Sequence, residues 1–159
     1  MNTQPISLPD RQSGLAMVEF VISVPVLLLL MLGTAELGRA FYEYNTLTKT
    51  VRDGARYLSE KALNPAGLME IDDAARTQTQ NLVVYGNAGG TGDPLMEGLA
   101  VEDVTVEAAP DADVPAEHIR VTATYQYSPI FELGIPTFGS GGTIDTNLTF
   151  RASITMRAL

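Results

Sequence analysis

Residues 14–59 read GLAMVEFVISVPVLLLLMLGTAELGRAFYEYNTLTKTVRDGARYLS. The first half of this stretch is an apolar run of membrane length, and the second half carries a helical stripe. Between residues 15 and 35 the one charge is Glu19. As a helix this run spans roughly 30 Å, about the hydrocarbon thickness of a bilayer. Residues 26–32 are apolar on every side, a pattern that suits lipid better than the one-sided core of a small soluble domain. Pro25 removes a backbone donor inside the run and predicts a kink or a loosened turn there. Glu19 is the anomaly. A carboxylate a turn into an apolar segment costs on the order of a few kcal/mol to bury. Its side chain is short for snorkelling to water, so a positive partner is the better account. A free amino group created near Leu15 would supply one.

Beyond the run, Leu37, Tyr44, Val51 and Leu58 recur every seven residues, with Phe41, Leu47 or Thr48, and Ala55 between them. This is a helical face, with Glu43, Lys49, Arg52, Asp53 and Arg56 placed mostly off it. One long helix is predicted, leaving the bilayer and laying its stripe on a folded domain; a coiled coil with a partner is the alternative. Gly54 lowers helix propensity, which marks either a close backbone approach or a weak point.

Three features stand together: Gly14, then Leu15-Ala16-Met17-Val18, then Glu19-Phe20. They resemble the processing site of type IV pilin-like precursors. The continuation resembles TadE-like pseudopilins of the tight-adherence (Tad/Flp) pilus machinery. It comprises Val24-Pro25 with its leucines, Ala35-Glu36-Leu37-Gly38-Arg39, and Val51-Arg52-Asp53-Gly54-Ala55-Arg56-Tyr57. The resemblance implies a minor pilin, because the major subunits of that system are much smaller. It implies cleavage between Gly14 and Leu15 by a prepilin peptidase, and Glu19, with Phe20 beside it, as the assembly position. The carboxylate would pair with the new amino terminus of a neighbouring subunit. The chemistry is consistent with this, since a glycine at the scissile position offers no side chain to clash. An amine and a carboxylate also neutralise each other effectively where the local dielectric is low.

The implied layout is a leader over residues 1–14, a transmembrane helix over 15–36, its amphipathic extension over 37–60, and an extracytoplasmic head over 61–159. The polar leader, with Pro5, Pro9 and Arg11, is expected to be disordered. Arg11 and the amino terminus favour a cytoplasmic amino end in the bacterial inner membrane, with the head periplasmic or extracellular. A conventional signal peptide cut after Ala35 competes with this layout. The length of the apolar region, the presence of Glu19 and a barely basic leader all count against it.

The remainder of the chain predicts an α+β, pilin-like head. Residues 64–67, Asn-Pro-Ala-Gly, break the long helix. A second helix is expected over 68–85, with Ile71, Ala74 or Ala75, Gln78 and Leu82 on its inner face and Gly86 at its end. The glycine-rich residues 86–94 lack the Gly-Lys-Ser/Thr ending of a phosphate loop and read as a flexible connection. Period-two alternation over 101–108, 119–127 and 144–156 predicts a three-stranded antiparallel sheet with one face on the helix stripe. Residues 128–142 read as a long loop.

Composition narrows the function. The 159 residues carry a formal net charge of −9 and no cysteine, which removes disulfides and thiolate metal sites and argues against nucleic acid. His118 is the lone histidine, so ordinary catalytic triads are absent. Asp111, Asp113 and Glu117 do not follow a calcium-loop pattern and read as solvated turn residues. No catalytic residue, metal or cofactor is expected. The expected partners are the peptidase, other pilin subunits, inner-membrane assembly machinery and lipid. The competing class is an unpolymerised, membrane-anchored scaffold or binding protein.

Overall fold

In a computed structural model, residues 11–64, 68–108, 117–130, 135–136, 142–144 and 147–159 are described. The chain divides into two units, Met1–Leu37 and Gly38–Leu159, and helix α1 covers Arg11–Ser59. Within the first unit no side chain between residues 14 and 35 is buried. Leu15, Phe20 and Met31 are 74%, 67% and 69% exposed. The helix runs through Pro25 without a break and is long and apolar enough to cross a membrane. Thr34, the hydroxyl residue near the end of the run, donates to the Leu30 carbonyl at 2.7 Å, which satisfies it without water.

The second unit is an α+β fold. It holds the rest of α1, helix α2 (Asp73–Tyr85), a 3-10 turn (Val101–Asp103) and strands β1 (Val104–Ala108), β2 (His118–Gln126), β3 (Ile135–Pro136), β4 (Thr143–Ile144) and β5 (Thr149–Arg157). The main sheet has the order β1-β2-β5, all antiparallel, and β3 pairs with β4 separately. Alternation works as predicted. Ile119, Val121, Ala123 and Tyr125 of β2 are at most 3% exposed, and with Val104 and Val106 they join Leu47, Val51, Ala55 and Leu58 of α1 in one core. Full burial of each such aliphatic side chain contributes about 1.5–3 kcal/mol. On the other face polar residues pair across strands, as Thr122 and Ser153 do at 2.9 Å.

Three expectations need correction. The stripe holds only in its second half: Leu37, Phe41 and Tyr44 are exposed, whereas Ala40 and Leu47 are buried. The second helix starts at Asp73, not at residue 68. The Asn64 side chain accepts from the Leu68 amide and Glu70 N–H bonds Ala62, so local bonds hold this segment out of helix. Asp72 then caps the helix by accepting from Ala75 N–H at 2.6 Å. Its buried face is Ala75, Thr79, Val83 and Val84, while Ala74 and Gln78 are exposed. The predicted last strand begins five residues later, at Thr149, and residue 144 belongs to β4.

Gly86 ends α2 in the left-handed conformation, φ 73°, with its N–H on the Leu82 carbonyl. The glycine-rich segment after it carries its own hydrogen bonds. Asn87 accepts from Thr91 N–H and donates to the Thr91 carbonyl at 2.8 Å. Residues 1–10, which hold most of the leader, and most of the 128–142 loop lie outside the described residues.

Gly54 marks the close approach of α1 to α2. A Cβ there would lie 2.5 Å from Val83 Cγ2, a β-branched side chain with little freedom to move. Gly54→Ala is expected to lower the unfolding free energy by about 1 kcal/mol or more, although alanine is the better helix former. Urea unfolding of the chain in detergent checks this. Adding Val83→Ala should recover part of the loss, because the clash is with that methyl.

Candidate functional site

Two groups of residues stand out, one in each unit. In the first, Gly14 opens the apolar part of α1, and nothing lies within 4 Å of where its Cβ would be. From the next residue on, Leu15, Val18, Glu19, Ile22 and Ser23 line a single shallow groove on the helix, as the spacing of three and four residues requires. The structure therefore brings Leu15 and Glu19 onto one face. Phe20, one residue on, points about 100° away; it is 67% exposed and does not line the groove. Among the described residues no side chain is recorded pairing with Glu19. An apolar face carrying one open carboxylate can dock a similar helix that brings a positive charge.

In the second unit, Arg39 and Glu43 of α1 meet two tyrosines of the β2 end of the sheet. Arg39 Nε donates to Glu43 Oε1 at 2.8 Å. Its guanidinium lies 5.9 Å from the centre of the Tyr127 ring, within cation–π range. The Tyr125 hydroxyl is 3.1 Å from both Glu43 Oε2 and the Glu97 carbonyl, and shares its proton between them. Phe150 stacks obliquely on Tyr125 and Tyr127 and meets Tyr44 edge-on, with ring centres 5.4–6.4 Å apart. Burial, with the neighbouring Glu43 carboxylate, pushes the Tyr125 phenol up to about 12.

The sequence reading placed Glu43 off the buried face, and the structure puts it on that face, with its side chain 14% exposed. The signal was available. Arg39 and Glu43 are four residues apart, a helical ion-pair spacing, and Tyr125 sits on the inward register of β2 with Tyr127 two residues on, just past its end. What it lacked was the pairing between them. This cluster ties α1 to the sheet and presents no nucleophile or acid–base pair aimed at open space.

The metal reading gains nothing. Glu117 is held by Arg157, Nη2 to Oε2 at 2.7 Å, and Asp111 and Asp113 lie outside the described residues. Among the described residues no group of acids and histidine is placed to hold a metal ion.

Comparison with known proteins adds one finding. Residues 14–56 match the family model described as TadE-like protein. The matched segment starts at Gly14, contains the Leu15–Glu19 groove, and ends inside the core-forming half of α1. No curated protein and no solved structure matches the chain. The TadE-like segment thus carries the first group of residues whole, and of the second only Arg39, Glu43 and Tyr44.

The tyrosine–glutamate contact has a pH signature. A phenol whose pKa is raised in the folded state contributes stability in full below its unfolded value, about 10, and loses it as pH climbs towards 12. Unfolding followed across pH 9–12 should show a decline in that window that Tyr125→Phe removes. At pH 7 the same substitution should cost about 1–3 kcal/mol, by leaving Glu43 short of a donor.

Proposed function

We propose that this chain is a minor pilin, or pseudopilin, that takes part in assembling or priming a tight-adherence (Tad/Flp) pilus for surface attachment. In this reading it is stored as a single-pass protein of the bacterial inner membrane, amino end in the cytoplasm and head outside. A prepilin peptidase cuts between Gly14 and Leu15. The carboxylate of Glu19 then pairs with the amino terminus of an adjacent pilin subunit, and the assembly machinery draws the subunit out of the bilayer.

The observation that carries this reading is a coincidence of positions. The TadE-like match begins at Gly14, the residue whose missing side chain suits a peptidase. Directly after it, one face of the helix presents Leu15 and Glu19 together. In lipid an unpaired carboxylate is costly, and a neighbouring subunit's ammonium group removes that cost while fixing the axial offset between helices. The pairing therefore selects a register more than it adds raw stability.

The mature amino terminus, read by mass spectrometry of membranes from filament-building cells, tests the reading. A chain beginning at Leu15 is expected. A start at Met1 means a plain anchor, and a start at Glu36 means secretion; either defeats the proposal. Gly14→Val should leave the precursor uncut. Glu19→Val should be cut normally yet be lost from filaments or their assembly complexes, and its normal incorporation would sink the amine-pairing step.

A further inference from the structure

The exposed apolar side chains of the head are not scattered. Among the described residues of the second unit, eight large ones are exposed. Two of them, Leu68 and Leu159, lie at the Ser59 end of α1. There the Leu68 amide donates to the Asn64 side chain, and Leu159 N–H bonds the Ser59 carbonyl at 2.9 Å.

The other six gather at the Gly38 end. Phe41, Tyr42 and Tyr44 come from α1 itself. Leu95 comes from the loop after α2, where its N–H bonds the Val84 carbonyl at 2.7 Å. With Tyr42, Thr46 and Met96 it lines one small hollow. Leu148 precedes β5, and its carbonyl accepts from Tyr127 N–H, whose ring lies beside Arg39. Ile130 follows Tyr127 by three residues.

This is a collar and not a one-sided patch. Successive helix residues turn by about 100°, so Phe41, Tyr42 and Tyr44 point to three sides of α1. A partner packed alongside a helix covers a stripe only about 100° wide. A surface that meets the molecule end-on covers all sides at one level. The collar also lies at the end of the head that the apolar run joins. Tyr42 is seven residues past Ala35, about 10 Å of helix rise. The headgroup layer adds about 5–7 Å on each face of the hydrocarbon. An ordinary helix tilt of about 20° lowers one side of the collar further.

We propose that this collar rests in the headgroup layer of the bilayer that the run crosses. The head is then seated on the membrane through Tyr42, Leu95 and Leu148 and is not held clear of it. Aromatic side chains with one wet end suit that layer, and lipid takes the apolar area of the leucines out of water. The inference rests on residues 15–35 spanning a membrane; it requires neither processing at Gly14 nor filament assembly.

The chain has no tryptophan, so single substitutions report on this cleanly. The full chain is placed in nanodiscs at one copy per disc. The discs are made of phosphatidylcholine, either plain or brominated on the acyl carbons nearest the headgroup. Leu95→Trp and Leu148→Trp should each be quenched by the brominated lipid several-fold more than Leu68→Trp at the opposite end. Unchanged protease resistance of the head shows that each variant is folded. Phe20→Trp, inside the run, separates the two levels of the argument. Strong quenching there, with quenching at Leu95 or Leu148 no greater than at Leu68, overturns the collar alone. No quenching at Phe20 overturns the membrane reading and the collar with it. Emission at Leu95 that is blue-shifted yet unquenched means that protein covers the site, which also overturns the proposal.

Discussion

The second half of α1 is the one element this fold cannot do without. Leu47, Val51, Ala55 and Leu58 have no exposed surface, and they fill the space that the inward face of a three-stranded sheet leaves open. Three strands with one apolar face are barely a structure by themselves. Laid on a helix they share a core, and α2 closes that core through the notch at Gly54. The polar cluster of Arg39, Glu43 and Tyr125 sits at the other end of the same contact. Its hydrogen bonds are directional where the aliphatic core is not, so it fixes rotation of α1 against the sheet. Removing one partner strands another inside, which makes such a cluster a stronger determinant of register than of net stability.

How far the residues foretold this depends on the period being read. Strand alternation has a period of two and no drift, so β2 was legible to within a residue or so; the last strand's inward Phe150, Ala152, Ile154 and Met156 were right, although Leu148, expected inward with them, is 45% exposed and precedes β5. The helix stripe was read at seven residues, but a straight helix drifts about 20° per heptad. From Leu58 back to Leu37 the drift amounts to about 60°, enough to turn Leu37 and Phe41 out of the core and bring Ala40 and Glu43 in. A period of 3.6 counted backwards from Leu58 passes close to Val51, Leu47 and Ala40. The start of α2 was misplaced for a different reason. Asp72 reads equally as a first-turn acid or as a cap, and the choice was made by Asn64 and Glu70, whose bonds hold residues 68–70 in extended conformation. Single-residue spacing does not encode such a contest.

The apolar half of α1 poses the opposite problem, being legible in sequence and unsupported by any packing. Between residues 14 and 35 its side chains are exposed or half-exposed, and none is buried. The apolar exposure continues past the run, through Leu37, Phe41 and Tyr42, at 57–72%. Aromatic residues in that position, a turn or two beyond a lipid-length segment, are the composition found at membrane interfaces. The stripe was therefore a superposition of two patterns, one for the core and one for the boundary of the bilayer. The heptad count merged them.

Glu19 brings these threads together. A chain that tolerated no charge in lipid would carry an apolar residue there, as it does at most neighbouring positions. The carboxylate instead shares a groove with Leu15, the residue that follows Gly14. Alone in a bilayer it is a liability of a few kcal/mol. The same few kcal/mol become a driving force as soon as a cation is delivered to the same depth. A fixed charge inside an otherwise uniform apolar rod also supplies what the rod lacks: apolar helices slide past one another with little change in energy, whereas one buried pair permits a single axial offset. On the proposed reading, Glu19 would give a helix that packs against others the single register that a plain membrane anchor does not need.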